Sequence, residues 1–272
     1  MSQMITGTTK FFATLAHPSA HVRAPMLFNA LFAERGIDHV MIPIDVHPDK
    51  LATVIDGLRD TGNFIGAAVT IPHKMPLAAM CRTLGLAAQV TGAVNAVRFD
   101  ADRQLIGDNF DGQGFIAGAL GEGVALAGKR ILLVGAGGAG RAIAVALAQM
   151  QPQPAALHIA NRNKSRADEL ADIVGRATTL EEVQSVAEDV DKSVYDVVIN
   201  ATPLGLHDDD PLPFTLDDVR SDCVICDIIM IPDETRLLQA AKARGLHVHY
   251  GRHMFDYQMA LVGRFIGAIP RD

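Results

Sequence analysis

The sequence predicts an α/β protein of two domains, because short β-rich runs alternate with helical patterns throughout and 272 residues suffice for two compact domains. Alternation of this kind is typical of βαβ units and parallel sheets. The β-rich runs are residues 11–15, 39–44, 67–71, 131–134, 156–160, 197–200, 224–228 and 247–250.

The region between the first three runs and the rest indicates a hairpin. Residues 93–109 contain two short apolar runs on either side of a polar Asp-Ala-Asp-Arg turn. We therefore place a domain boundary near Asp111, with residues 1–110 in the first domain and 111–251 in the second. The apolar spacing of residues 254–266 predicts a final helix, and we expect the segment 252–272 to pack back onto the first domain.

Composition and charge favour a small molecule as the partner. The net charge is −7 and basic residues are scattered, which disfavours a nucleic-acid groove. No apolar run is long enough to span a membrane, and the N-terminus does not resemble a secretory signal, so we expect a cytoplasmic protein, either monomer or homodimer. Three cysteines do not suggest a disulfide framework, and the Cys223/Cys226 pair reads as part of a buried strand.

A glycine-rich turn joins the run at 131–134 to a predicted helix at 141–149. Its spacing matches G-x-G-x-x-G, the turn that brings a pyrophosphate against the start of a helix. The second domain is therefore predicted to be a Rossmann-type doubly wound parallel sheet that binds a dinucleotide. The residues assigned to the cofactor are Gly135, Gly137, Gly138, Ala139 and Gly140.

The end of the next β-rich run favours NADP over NAD. An NAD enzyme usually has an acidic residue there for the ribose 2′-hydroxyl, and this chain has Asn161 and Arg162 instead. Arg162 and Arg166 lie four residues apart at a helix entry and can converge on a 2′-phosphate, with Asn161 and Asn163 as hydrogen-bond partners. Arginines on a solvated helix face are the alternative interpretation.

Seven short motifs follow one another along nearly the whole chain. They are Val-Thr-Ile-Pro-His-Lys at 69–74, Gly-Ala-Val-Asn at 92–95, Gly-Asp-Asn-Phe-Asp-Gly-Gln-Gly at 107–114, the glycine-rich turn at 135–140, Asn-Arg at 161–162, Asn-Ala-Thr-Pro-Leu-Gly at 200–205, and the segment from Gly251 to Gln258. In this order they resemble the shikimate dehydrogenase family. The resemblance implies an oxidoreductase with a substrate domain followed by a cofactor domain.

The resemblance also assigns catalytic roles. Lys74 and Asp111 match the lysine and aspartate that act as a pair around the reacting hydroxyl, and a base and acid are what hydride transfer to or from an alcohol carbon requires. We expect both to face a cleft where the two domains meet, although an interdomain salt bridge without chemistry is the alternative.

Further residues match positions that bind the substrate or the cofactor in the family. Thr70, Asn95 and Gln258 match positions that hydrogen-bond the substrate hydroxyls, and each could otherwise be a turn or capping residue. Thr202 and Gly251 belong to motifs assigned to the cofactor. No third ligand accompanies the histidines at 247 and 249, so no metal is expected.

Four positions depart from the family pattern. Val22 and Ala24 replace two serines that hold the substrate carboxylate, Ala68 replaces an asparagine, and Met230 replaces a tyrosine. Losing two or three bonds to a charged group should weaken shikimate binding by orders of magnitude. Either Arg23 holds the carboxylate by another route, or the substrate is a different cyclic polyol or hydroxy acid in a pocket shaped by His17, His21 and Met230.

The sequence therefore predicts an NADP-dependent enzyme that interconverts 3-dehydroshikimate and shikimate or a close cyclic hydroxy acid. A quinate- or aminoshikimate-type dehydrogenase is the alternative within the same chemistry. A catalytically silent NADP-binding sensor is the alternative from another class.

Overall fold

The computed structural model describes residues 4–20 and 22–270, and the chain divides into two compact units. The first unit comprises the chain up to Phe110 together with the segment from Met259 onward, and the second unit is Asp111–Gln258. Within the described residues, no helix combines the length and the apolar character that crossing a bilayer requires.

The first unit is built on a six-stranded mixed sheet with the strand order β2-β1-β3-β5-β6-β4. The strands β1, β2 and β3 are parallel, and β5 and β6 form the antiparallel hairpin that the sequence predicted. The elements are β1 Lys10–Ala16, α1 Ala24–Arg35, β2 His39–Asp45, α2 Leu51–Arg59, β3 Phe64–Val69, α3 Lys74–Met80, β4 Thr83–Leu84, α4 Leu86–Thr91, β5 Ala96–Phe99 and β6 Leu105–Asp108.

Both faces of this sheet are covered, as the alternation of side chains along β1 shows. Phe12 packs in one apolar cluster with the α1 residues Phe28 and Phe32, and this cluster includes Ile266 from the C-terminal segment. Leu15, which has the opposite parity in the strand, packs in a second cluster with residues of α2 and α3. The C-terminal segment therefore completes the core of the first unit.

The second unit contains a six-stranded parallel sheet with the order β9-β8-β7-β10-β11-β12, which confirms the predicted doubly wound fold. The strand order reverses between β7 and β10, and ligands of such sheets bind beside this switch point. The elements are α5 Asp111–Gly121, β7 Arg130–Val134, α6 Gly138–Gln149, β8 Ala156–Ala160, α7 Lys164–Ala177, β9 Val183–Val186, β10 Val197–Asn200, β11 Val224–Asp227, α8 Arg236–Ala243, β12 His247–His249 and α9 Gly251–Ile266. The part of α9 from Met259 onward belongs to the first unit.

Some boundaries differ from the sequence prediction for physical reasons. The strand β3 begins at Phe64 and ends at Val69. The strand β4 is only two residues long, and β9 carries partly exposed polar residues at the sheet edge, so neither gives a clear apolar pattern. Cys223 and Cys226 are fully buried, and burial raises the pKa of the Cys223 thiol to about 11, which keeps it protonated at neutral pH.

Candidate active site

The glycine-rich turn follows β7 at the switch point of the second sheet. Gly135 has a φ of 114°, and a Cβ there would lie 2.7 Å from the backbone of Ala201. A Cβ at Gly140 would lie 2.1 Å from the carbonyl oxygen of Gly135. Both positions therefore require glycine so that the turn can pack tightly against β10 and against the helix α6.

The other residues of the turn leave room for a ligand. A Cβ added at Gly137 or Gly138 would meet no atom within 4 Å, and no side chain caps the start of α6. The first N–H groups of a helix and its dipole favour an anion. The turn and the twelve-residue helix behind it thus fit the pyrophosphate of a dinucleotide, and Ala139 lies in the first turn of this helix.

The loop after β8 contains the residues predicted to select the cofactor. Arg162 and Arg166 are exposed, and neither forms an ion pair with another described residue. The side-chain oxygen of Asn161 accepts a hydrogen bond from the Ala136 amide at 3.1 Å, and its amide donates to the carbonyl of Asn163 at 2.9 Å. Asn161 thus ties the glycine-rich turn to the loop that presents the two arginines.

The loop after β10 is fixed by the side chain of Asn200. Its oxygen accepts hydrogen bonds from the Thr202 amide at 3.0 Å and the Thr202 hydroxyl at 2.7 Å, and its amide donates to the Leu204 carbonyl at 3.2 Å. The Thr202 hydroxyl also accepts a bond from the Leu204 amide at 3.2 Å. Thr202 is therefore a structural part of this loop on the opposite side of the switch point from the glycine-rich turn.

A buried carboxylate at the end of β11 supports the same loop. Asp227 accepts hydrogen bonds from the Asn200 side chain at 3.1 Å, the Ile229 amide at 3.1 Å and the Thr235 hydroxyl at 2.7 Å. The pKa of Asp227 is raised above its ordinary value, because the effect of burial exceeds the lowering by these hydrogen bonds. Sequence reasoning did not assign Asn200, Asp227 or Thr235. The available signal was a polar residue at the carboxyl end of each of two neighbouring strands.

Gly251 lies at the start of α9, where backbone approaches backbone. A Cβ at this position would lie 2.3 Å from the carbonyl oxygen of Ile229. Gly251 is buried. Because it has no side chain, α9 can begin in direct contact with the loop that follows β11.

In the first unit, the segment after β3 carries Thr70 and Lys74. The Thr70 amide donates to the Leu15 carbonyl at 3.1 Å, and Lys74 is the first residue of α3. The fully buried His73 hydrogen-bonds the Val46 carbonyl through Nε2 at 2.8 Å. These bonds fix the half-buried Thr70 and Lys74 at the carboxyl ends of the parallel strands.

Asn95 connects this segment to the hairpin. Its backbone carbonyl accepts from the Val69 amide at 2.8 Å, and its side-chain oxygen accepts from the Phe110 amide at 2.9 Å. The Lys74 carbonyl accepts from the Val94 amide at 3.0 Å. The three residues predicted in this unit, at positions 70, 74 and 95, thus belong to one hydrogen-bonded strand edge.

In the second unit, Asp111 and Gln258 are brought together. Asp111 is the first residue of α5, and its Oδ1 accepts a hydrogen bond from Nε2 of Gln258 on α9 at 2.7 Å. A Cβ at Gly114, one turn along α5, would lie 2.8 Å from the Cβ of Gln258. The small residue lets the two helices approach closely enough for this bond.

The departures from the family pattern are visible at the start of α1. Val22 is partly buried, Ala24 is buried, and Arg23 is exposed, with no hydrogen bond from its side chain to another described residue. Met230 is exposed, and Ala68 is partly buried within β3. His21 lies outside the described residues.

Asp45, the last residue of β2, binds two groups of the loop between β1 and α1, namely the ring of His17 and the amide of Ser19. Its Oδ1 is 2.7 Å from Nδ1 of His17, and its Oδ2 accepts from the Ser19 amide at 3.0 Å. The Ser19 amide, followed by the His17 ring, lowers the pKa of Asp45, so this carboxyl is ionised at neutral pH. Sequence reasoning did not identify Asp45.

Comparisons with known proteins match these two units. The family model of the shikimate dehydrogenase substrate binding domain matches residues 14–97, and the model described as shikimate / quinate 5-dehydrogenase matches residues 119–205. A relative from Rubrobacter xylanophilus, named shikimate dehydrogenase (NADP(+)), is 38% identical over 259 residues, which cover 93% of this chain and 89% of the relative. The chain belongs to the shikimate dehydrogenase family.

Solved structures of similar proteins have the same fold. A shikimate dehydrogenase in complex with NADP+ has a TM-score of 0.85 and 32% identity, with 100% of this chain and 94% of that chain covered. The ligand-free 5-ketofructose reductase of Gluconobacter sp. strain CHM43 has a TM-score of 0.83 and 30% identity, with 97% and 95% covered.

The predicted family and the predicted α/β fold are confirmed by these comparisons. As a member of the shikimate dehydrogenase family, the chain is an oxidoreductase that acts on a hydroxyl group. The expected cofactor, NADP, is the one that the names of the relatives carry.

Proposed function

We propose that this protein is an NADP-dependent dehydrogenase that interconverts a hydroxyl group and a ketone on a small polyhydroxylated substrate, with Lys74 and Asp111 as its acid–base pair. The observation that carries the proposal is the hydrogen bond from Gln258 to Asp111, which keeps an acidic side chain oriented at the start of α5. A carboxylate that serves only as a surface charge does not require a hydrogen-bond donor such as Gln258 on a second helix.

The acid–base roles follow from the chemistry of alcohol oxidation. When bound, NADP+ would supply the hydride acceptor for oxidation of the alcohol, and NADPH would supply the hydride donor for reduction of the ketone. The hydroxyl proton must leave as the hydride leaves, and a lysine amine beside a carboxylate can take that proton or give it back. In this proposal Gln258 orients the carboxylate of Asp111 through its hydrogen bond, and Thr70 and Asn95 contact substrate hydroxyls.

For the cofactor, the residues of the second unit divide into three groups. The open turn at Gly137 and Gly138 receives the pyrophosphate at the start of α6. Arg162 and Arg166 bind the 2′-phosphate, because planar guanidinium groups pair well with phosphate oxygens. The loops at Thr202 and Gly251 border the nicotinamide half.

The substrate named by the family is shikimate, with 3-dehydroshikimate as its ketone. A quinate- or aminoshikimate-type dehydrogenase is the neighbouring candidate, and the matched family model is described for both shikimate and quinate. A third candidate is a reductase of a neutral ketone, as in the 5-ketofructose reductase with 30% identity. It is favoured by Val22 and Ala24, which offer no hydroxyl group to a carboxylate.

A substrate panel tests the proposed function. The purified protein is offered 3-dehydroshikimate, shikimate, quinate and 5-ketofructose with NADP(H) and with NAD(H), and NADPH absorbance is followed. We expect turnover on at least one of these compounds, with NADP(H) preferred. Binding of NADPH without turnover on any of them would support a silent NADP sensor and would contradict the proposal. A cytoplasmic location and a monomeric or dimeric state remain predictions.

A further inference from the structure

The imidazole of His17 is held in one tautomer by its neighbour Asp45. The carboxylate of Asp45 is ionised and can only accept, so Nδ1 of His17 carries the proton in the 2.7 Å bond between them. The neutral ring therefore has a lone pair on Nε2. Among the described residues, Nε2 has no hydrogen-bond partner, and the side chain is 39% exposed.

The backbone joins this pair to the strand edge of the candidate site. The His17 amide donates to the carbonyl of Ile71 at 3.3 Å, one residue after Thr70 and three before Lys74. Asp45 directly precedes Val46, whose carbonyl accepts the bond from His73. The pair thus lies beside the residues proposed to contact the substrate.

An acceptor at this position discriminates between substrate groups. A hydroxyl group can donate to Nε2, whereas a carboxylate has no proton to donate and finds only a lone pair and the negative charge of Asp45. The two positions that carry serines in the family are Val22 and Ala24 here, so they provide no compensating donor. A carboxylate that lacks the two serine donors loses binding energy unless Arg23 replaces them, whereas a hydroxyl that donates to Nε2 keeps its hydrogen bond.

We propose that His17, oriented by Asp45, is a specificity-determining residue that accepts a hydrogen bond from a substrate hydroxyl and favours an uncharged polyhydroxy ketone or alcohol over a hydroxy acid. This inference rests on the proposed function, because it concerns the substrate of the same site. It assigns to the His17–Asp45 pair a role in substrate selection that the two serines have in other family members.

The first test measures the reduction of two ketones with NADPH at pH 8. The unmodified protein should reduce 5-ketofructose with a higher kcat/KM than 3-dehydroshikimate. His17→Phe should lower kcat/KM for 5-ketofructose about tenfold, mainly by raising KM. The kcat/KM for 3-dehydroshikimate should stay unchanged. His47→Phe is the matched control, because the His47 ring lies 5.2 Å from that of His17. Equal losses on both ketones, or none, would overturn the assignment.

A second variant, Asp45→Asn, reverses the hydrogen-bond pattern. The Ser19 amide can only donate, so the oxygen of the new side chain must face it and the NH₂ group must face Nδ1 of His17. Nδ1 then accepts, and Nε2 carries the proton and becomes a donor. The ratio of kcat/KM for 5-ketofructose over 3-dehydroshikimate should fall at least tenfold. An unchanged or increased ratio would contradict a role for the tautomer.

Binding measurements separate failure of this inference from failure of the proposed function. If none of the four compounds of the panel is turned over, the proposed function fails, and the inference is judged by calorimetry with NADP+ present. Fructose should then bind more tightly than shikimate, and His17→Phe should remove the difference. Tighter binding of shikimate to the unmodified protein would overturn the inference whether or not turnover is seen.

Discussion

The side-chain amide of Gln258 donates a 2.7 Å hydrogen bond to Oδ1 of Asp111, and this bond joins α9 to the start of α5. An amide donor stabilises the ionised carboxylate and fixes the direction of its second oxygen. Gln258, which the family resemblance assigns to the substrate, therefore has a second role in orienting the proposed catalytic aspartate.

Replacing Gln258 by Leu tests this orienting role. A bond to a charged group contributes about 1.5–3 kcal/mol, so we expect kcat/KM to fall roughly 10- to 100-fold, with NADP affinity unchanged. Gln149→Leu, at an exposed position at the end of α6, is the control for the substitution itself. Steady-state kinetics and NADP calorimetry measure both effects, and full activity of Gln258→Leu would show that Asp111 needs no such support.

The cofactor preference is tested at Arg162. Because only NADP has a 2′-phosphate, Arg162→Ala should weaken NADP(H) binding about 10- to 100-fold and leave NAD(H) binding unchanged. Arg176→Ala is the matched control. Arg176 is an exposed arginine of α7 that pairs with Asp172, so its removal should not affect the binding of either cofactor. Equal losses for the two cofactors would count against the role of Arg162.

Two glycines of one turn should respond differently to alanine. At Gly140 the new Cβ would meet the Gly135 carbonyl at 2.1 Å, so Gly140→Ala should lower Tm by several degrees or prevent folding. At Gly137 the Cβ would meet no protein atom within 4 Å, so Gly137→Ala should keep its Tm and lose NADP affinity. Thermal unfolding with and without NADP measures both, and normal NADP binding by Gly137→Ala would show that this space is not the pyrophosphate site.

His249 should make the protein less stable in acid. The ring is 1% exposed, neither nitrogen has a hydrogen-bond partner among the described residues, and burial together with the charge of His253 lowers its pKa to about 4. The unfolded state binds this proton near pH 6.5, whereas the folded state binds it only near pH 4. The neutral ring therefore leaves the free energy of unfolding undiminished above pH 6.5, and this free energy falls as the pH is lowered from 6.5 to 4.

Because of His249, the free energy of unfolding should fall by about 3 kcal/mol between pH 6.5 and pH 4. His249→Phe, which keeps a ring against Phe115, should flatten this part of the stability curve, whereas the exposed His247→Asn should not. Urea unfolding at several pH values measures the difference between the variants. Parallel curves for His249→Phe and the unmodified protein would refute the assignment.

Much of the fold could be predicted because its elements have local patterns. The parallel sheet of the second unit follows from apolar runs that alternate with helices, and the glycine-rich turn follows from its spacing. The edge strand β9 could not be predicted, because Gln184 is exposed and Ser185 is polar, so hydrogen bonding to β8 decides its conformation.

The side-chain pairs of the site depend on strand register, which no local pattern specifies. Asn200 and Asp227 are opposite each other because β10 and β11 pair in one particular register. Asp45 reaches His17 because Ala16 pairs with Asp45 in β1 and β2. A sequence gives the residue types at strand ends, and the partner of each appears only once the sheet is assembled.

The measurement that tests the central claim most directly is turnover by Lys74→Ala on the best substrate of the panel, with NADP affinity measured in parallel. General acid–base catalysis contributes about 10²- to 10⁴-fold, so kcat should fall by at least a hundredfold while NADP affinity stays the same. Lys50→Ala, at an exposed lysine of the same unit, should keep full activity. Turnover by Lys74→Ala at the level of the unmodified protein would contradict the assignment of Lys74 to the chemistry.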